Sequence, residues 1–255
     1  MIDIHSHIAF DLDDGAQTIA ESLAIAKQAV AEGIQTIIAT PHQKHPSFEH
    51  NTIQLRSRIE MLQQAINEQQ LPLEIMIGQE VRVYGEIVEA IKTDENILTL
   101  HDSKYVLVEF PSSTIPKYTD KLFFDLLTNE YIPIIAPPER NAEIVENPEK
   151  LYRLIKNGAL SQVTAASVAG AFGKKTKALS LQLIEHQLTH FIGSDVHNMT
   201  NRPLHWKAAH EVIKAKMGYE YVSLLQQNAR RVIANQHIAK RAPEHIQKKK
   251  FLSIF

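Results

Sequence analysis

The chain of 255 residues contains no cysteine. That absence excludes disulfides, thiolate metal sites, iron–sulfur clusters and a cysteine nucleophile, so any metal here must be held by nitrogen and oxygen. An excess of one charge is also missing: 27 Lys and Arg face 29 Asp and Glu, a formal net charge of −2. Such a balance gives no chain-wide basic face for nucleic-acid affinity to rest on. No apolar run approaches the roughly 20 residues of a membrane span, and Met1-Ile2-Asp3-Ile4-His5 lacks a basic segment before an apolar one. The cytoplasm is the expected compartment. There is no Gly-x-Gly-x-x-Gly or Walker A loop for a nucleotide cofactor, and no Gly-x-Ser-x-Gly elbow for a serine nucleophile. Histidine, by contrast, is plentiful, with 13 in the chain.

Hydrophobic residues make up 44% of the chain, ordinary for a soluble globular protein. Short β-branched runs alternate with helical-period stretches. The expected strands are 2–5, 36–40, 74–78, 105–109, 132–136, 162–165 and 190–194. Most are continuous apolar runs, as parallel strands buried on both faces require. Helices are expected from a cap at Thr18 (with Glu21 closing a capping box) to Glu32, and over 51–70, 84–92, 118–129, 148–157 and 174–186. Three more are expected over 204–216, 220–227 and 228–235. Seven strand–helix units predict an α/β fold in one domain, a closed or nearly closed barrel, with a doubly wound open sheet as the alternative. Residues 1–240 read as the domain. Residues 241–255 read as a basic and then apolar tail, ending Lys248-Lys249-Lys250-Phe251-Leu252-Ser253-Ile254-Phe255. A disordered end, a contact with a second subunit and proximity to an anionic membrane are the readings for that tail.

Polar residues crowd the strand ends. The first ends in His5-Ser6-His7, with Asp14 just beyond. His42 follows the second, Glu80 the third, Glu109 closes the fourth, Glu139-Arg140 follow the fifth, and Asp195 and His197 follow the seventh. In a parallel barrel the C-terminal strand ends open onto one face, where active sites are built. His5 and His7 are an i, i+2 pair able to grip one ion, and Asp195 and His197 repeat the spacing. Burying so many ionisable groups together without a cation would be prohibitively costly. Imidazole and carboxylate without sulfur suit Mn, Fe, Zn or Co better than Mg. Such sites favour hydrolysis, because the ions acidify water and clamp phosphoryl oxygens. Arg140 and Arg202 follow ligand-bearing strand ends and suit bidentate phosphate contacts. Ser6 is read as structural, Trp206 as helix packing, and the remaining histidines as surface or ordinary packing residues.

The motifs Asp3-Ile4-His5-Ser6-His7, Asp13-Asp14-Gly15-Ala16, Ala39-Thr40-Pro41-His42, Gly78-Gln79-Glu80-Val81-Arg82, Glu109-Phe110-Pro111, Pro138-Glu139-Arg140-Asn141 and Ser194-Asp195-Val196-His197 together resemble the PHP superfamily. More narrowly, the chain is similar to the CpsB/YwqE-type tyrosine-protein phosphatases of Gram-positive bacteria, from Met1 to the tail. The resemblance implies a distorted (β/α)7 barrel with a cluster of up to three metals, commonly manganese. Carried over by motif, His5, His7, Glu80 and Asp195 would hold the first ion. Glu80 and Glu109 would share the second, and Asp14, His42 and His197 would hold the third. Arg140 and Arg202 would contact phosphate. The implied substrate is phosphotyrosine on the tail of a bacterial tyrosine kinase that governs capsule or exopolysaccharide synthesis. The alternatives are a PHP phosphoesterase with a small substrate such as histidinol phosphate, or a protein that binds the kinase tail with impaired catalysis. One position departs from the pattern: residue 137, a histidine ligand of the second ion in the family, is Pro137 here. Proline cannot replace an imidazole, though its fixed φ suits the extended backbone expected before Pro138.

Overall fold

The structure, a computed structural model, describes residues 1–93 and 96–246. In chain order the elements are β1 (Ile2–Ser6), α1 (Ile19–Ala31), β2 (Thr36–Ala39), β3 (His42–Gln43), α2 (Thr52–Glu68), β4 (Glu74–Ile77), β5 (Glu80–Arg82) and α3 (Ile87–Thr93). There follow β6 (Tyr105–Glu109), α4 (Thr119–Thr128), β7 (Ile132–Ile135), α5 (Ala142–Glu146), α6 (Glu149–Lys156), β8 (Leu160–Thr164) and α7 (Ala165–Ala169). The last are α8 (Lys174–Glu185), β9 (Phe191–Gly193), α9 (Trp206–Met217) and α10 (Tyr219–Ile233).

All strand pairs are parallel, in the orders β1-β2-β4 and β3-β5-β6-β7-β8-β9. β3 resumes the path of β2 after Thr40-Pro41, and β5 resumes that of β4 after Gly78-Gln79, so the two orders are stretches of one curled sheet. Beyond β9 the chain reaches β1: Asp195 N donates to His5 O and His7 N to Val196 O, both at 2.9 Å. The fold is thus mixed α/β around a curled parallel sheet.

Side-chain alternation sorts the core into two clusters. Ile38, Leu107, Ile134 and Phe191 pack with Ala229 and Val232 of α10. Their strand neighbours Ile37, Val106, Val108, Ile135 and Ile192 pack with helix residues such as Ile25, Leu62, Leu126 and Leu183. Strands covered on both faces need apolar residues at every position, which is why they read as unbroken apolar runs. The β1–β2 register shifts between Asp3 and Ser6. Such irregularities re-aim side chains near active sites, and His5 lies within this one.

Several expectations are corrected. One helix, Tyr219–Ile233, stands where two were expected over 220–227 and 228–235. Asn228 looks like a break in the sequence, but it is buried and uses its side chain, donating to His190 O at 3.1 Å and accepting from Ala239 N at 3.1 Å. Thr18 caps α1 as expected, but Glu21 accepts from Gln17 N at 2.7 Å rather than closing a capping box. Trp206 is fully buried at the start of α9. Of the tail, residues 241–246 lie against the body: Glu244 N donates to His186 O at 2.8 Å and the His245 ring lies 3.8 Å from that of Tyr152. Lys248–Lys250 and the apolar end fall outside the described residues. Among the described residues no helix is long and apolar enough to cross a membrane.

Candidate metal centre

His5 and His7 show what this site requires. His5 Nδ1 lies 2.8 Å from Gln162 Oε1, and His7 Nδ1 lies 2.6 Å from Asp13 Oδ2. Both partners are acceptors; Gln162 is oriented by its own Nε2, which donates to Val163 O at 3.1 Å. Each Nδ1 therefore carries a proton and each Nε2 presents a lone pair. The two Nε2 atoms lie 3.3 Å apart, and each is 3.4 to 3.5 Å from Glu80 Oε2 and Asp195 Oδ1. Four acceptors converge on one buried point, and only a cation reconciles them. Without an ion, the same acceptors favour a proton on these rings. Burial opposes charge on His5 and His7, yet Glu80 and Asp195 raise His5, and Asp13 holds His7 well above the usual imidazole range. Burial would raise Glu80 and Asp195 too, but His5 and His42 hold Glu80, and Arg140 and His5 hold Asp195, well below the carboxylate range.

Two further groups overlap this one. His42, Glu80 and Glu109 form the second; His7, Asp14, His42 and His197 form the third; within each group the candidate ligand atoms lie within 4.8 Å of one another. His42 Nδ1 is 3.0 Å from Glu80 Oε2 and 3.8 Å from Glu109 Oε2, while its Nε2 is 3.6 Å from Asp14 Oδ1. His197 Nδ1 donates to Asp195 O at 3.0 Å, which leaves Nε2 as a lone pair 3.4 Å from Asp14 Oδ1. His42 Nδ1 and His197 Nε2 are both buried without a directed hydrogen bond. Burial, and then the nearby His7, lowers His197 to about 4, so its imidazole stays neutral. Glu109 is raised by burial and by Glu80 beside it, as expected of a carboxylate waiting for a cation. This donor set of imidazole and carboxylate fits divalent transition ions.

The expected ligand residues thus gather, with two changes: His7 belongs to the first and third groups, and His42 to the second and third, rather than to one each. The second group is not lined by carboxylates alone, because His42 Nδ1 also faces it. Pro137 belongs to none of the three groups. It is half-buried, with φ −93° and ψ 120°, and precedes the turn Pro138–Arg140. Arg140, from that turn, pairs with Asp195 Oδ2, and Arg202 Nη2 is 2.9 Å from both Asp195 oxygens. Ser6 Oγ donates to Ile38 O at 3.2 Å, a structural role.

Sequence reasoning gave no role to three residues of this site. Arg82 Nη1 lies 2.9 Å from Glu109 Oε2; its spacing from Glu80 is the same i, i+2 signal that marked His5 and His7. Gln162 orients His5. Asp13 accepts from His7 Nδ1, from His42 N at 2.9 Å and from Gly15 N at 2.8 Å, so one carboxylate braces two ligands. Gly15 permits this turn, since a Cβ there would stand 2.3 Å from His7 O.

A family model for capsular polysaccharide synthesis proteins of the CpsB/CapC type matches residues 1–234. The chain is 42% identical over 255 residues to tyrosine-protein phosphatase YwqE of Bacillus subtilis, covering 100% of both chains. It is 31% identical over 244 residues to tyrosine-protein phosphatase CpsB of Streptococcus pneumoniae, covering 93% of this chain and 100% of that one. A solved structure from work on YwqE and CpsB, described as metal-dependent tyrosine phosphatases, superposes with a TM-score of 0.94 at 43% identity, covering 97% of this chain and 100% of the other. Sequence, fold and extent agree: the chain belongs to the CpsB/CapC family.

Proposed function

We propose that this protein is a metal-dependent protein-tyrosine phosphatase. The observation that carries the reading is the meeting of His5, His7, Glu80 and Asp195 as four acceptors around one buried point, with guanidinium groups at its rim. Residues 1–240 form the catalytic domain, a distorted (β/α)7 barrel. The hydrogen bonds from the end of β9 to β1 support closure. His5, His7, Glu80 and Asp195 hold a first ion, Glu80 and Glu109 a second, and Asp14, His42 and His197 a third. Manganese suits these ligands. The substrate is phosphotyrosine on the tail of a bacterial tyrosine kinase controlling capsule or exopolysaccharide synthesis, and the setting is the cytoplasm.

When bound, the ions acidify water and draw charge from the phosphoryl oxygens. The chain's own groups do the rest. Arg140 and Arg202 bind the equatorial oxygens as planar donors. Asp195, gripped by both, sets the angle at which they face the phosphoryl group. Asp13 and Gln162 hold protons on Nδ1 of His7 and His5, which keeps each Nε2 free. Burial of His5, His7, Glu80 and Asp195 excludes bulk water and strengthens each of these interactions.

The test is phosphate release from a phosphotyrosine peptide, with and without added manganese, beside histidinol phosphate. Metal-dependent release from the peptide is the expected result. Release from histidinol phosphate alone would move the reading to a small-substrate phosphoesterase, and no release from either would leave a binding protein.

A further inference from the structure

Each arginine at the rim of the metal centre has an exposed apolar side chain near it: Phe172, from another loop, lies against Arg140, and Met199 shares the loop of Arg202. On one side the chain turns between α7 and α8. Gly170, at φ 102°, ends α7, and Gly173, at φ 91°, begins α8; both values favour glycine. Ala171 N donates to Ala166 O at 2.9 Å and Gly173 N to Gly170 O at 3.1 Å, so the turn is tight. At its tip Phe172 is 36% exposed, and the Arg140 guanidinium carbon lies 5.2 Å from its ring centroid. On the other side, the Asn198 side chain accepts from Thr200 N, Asn201 N and Arg202 N, closing a turn whose Met199 is 43% exposed.

A single exposed apolar residue means little. The position of Phe172 means more. Arg140 stands between Asp195, inside the cleft, and the Phe172 ring, outside it. A phosphoryl group bound by Arg140 and Arg202 sits beside Asp195, so its ester substituent must leave the cleft past this rim. An aryl ester carries a flat apolar ring at that point; the short alkyl stem of a serine or threonine ester does not.

We propose that Phe172 is a specificity-determining residue, a platform that receives the aromatic ring of the substrate beside the phosphoryl-binding Arg140. This rests on the phosphatase reading above and adds how the site prefers tyrosine esters. Paired aromatic rings gain enough to change affinity by roughly threefold to tenfold. Met199, soft and adaptable, can line the opposite wall.

The experiment compares the manganese-loaded protein with Phe172→Ala and Phe172→Tyr. Binding of phenylphosphonate and methylphosphonate is measured by calorimetry, and kcat and KM on a phosphotyrosine peptide and its phosphoserine counterpart. In the proposal, Phe172→Ala weakens phenylphosphonate by roughly threefold to tenfold and leaves methylphosphonate unchanged. It raises KM on the phosphotyrosine peptide with little change in kcat, and Phe172→Tyr restores both. Equal weakening of the two phosphonates would mean that Phe172 only supports Arg140, and no change in either would mean that it touches nothing; each result overturns the proposal. The phosphonate comparison needs no turnover. Absence of phosphate release from the unmodified protein would therefore count against the phosphatase reading alone.

Discussion

Asp13→Asn isolates the orienting of a ligand from the ligand itself. The carboxylate serves three donors: His7 Nδ1 at 2.6 Å, His42 N at 2.9 Å and Gly15 N at 2.8 Å. An asparagine offers one oxygen to the same three. With that oxygen toward His7 and His42, its NH2 faces Gly15 N, and a buried donor is left unpaired at a cost of about 1–3 kcal/mol. With the amide reversed, the NH2 faces His7 Nδ1 and forces the other tautomer. The proton then sits on Nε2, where the site requires a lone pair, and His7 ceases to be a ligand. Both orientations also lose the charge that holds His7 well above its ordinary range. The expected outcome is a loss of roughly 10–100-fold in metal affinity, the usual effect of removing an orienting partner. In chelator, the midpoint of thermal unfolding should fall by roughly 2–4 °C per kcal/mol lost. Calorimetric titration with manganese, elemental analysis after gel filtration and a melt followed by circular dichroism read these effects. A manganese Kd within threefold of the unmodified protein, with a lowered midpoint, would show that Asp13 only braces the turn and does not set the tautomer of His7.

Four other outcomes are expected. Exhaustive chelation should abolish phosphatase activity and lower the melting midpoint, since ions bound only by the folded state stabilise it by mass action; full activity at a metal content near zero would refute the metal reading. Arg140→Lys keeps the charge but loses the planar contact, so kcat/KM should fall about tenfold or more, roughly 1.4 kcal/mol; unchanged kinetics in both Arg140→Ala and Arg202→Ala would remove them from the site. Burial lowers His190 from 6.5 to about 3, so below pH 6.5 the unfolded chain takes up a proton that the folded one refuses. Stability is lost on acidification at up to about 1.4 kcal/mol per pH unit; in metal-free protein His190→Asn should flatten that slope in denaturant titrations, and an identical slope would count against it. Pro137→His should add an equivalent of bound metal at limiting manganese; equal stoichiometry would mean that residue 137 is no ligand position.

The regular elements were readable because their signals are local. Unbroken apolar runs mark strands covered on both faces, and Thr18 and Gly33 bracket α1. What escaped is short or tertiary. β3 has two residues and β5 three, too few for any periodicity, and each is recognisable only as the resumption of an earlier strand. The length of α10 was hidden by Asn228, a poor interior helix former that stays in place because His190 and Ala239 use both ends of its amide.

The site was readable wherever one residue type does one job at a strand end, and unreadable wherever a residue acts through another. Asp13 and Asp14 are adjacent and chemically identical in the sequence. In the fold Asp13 is buried on the proton side of His7, while Asp14 is exposed toward His42 and His197. Only the hydrogen-bond pattern separates the carboxylate that orients His7 from the one that faces the open group. His42 shows the same limit from the other side. Spacing assigns it to one ion, but its Nδ1 faces Glu80 and Glu109 while its Nε2 faces Asp14. A neutral imidazole has one lone pair to give, and it serves both directions only by losing its remaining proton. The location of that proton on His42 therefore decides which of the two groups gains a nitrogen. In a chain with proline at 137, the second group has His42 as its nitrogen donor or none from the residues gathered here.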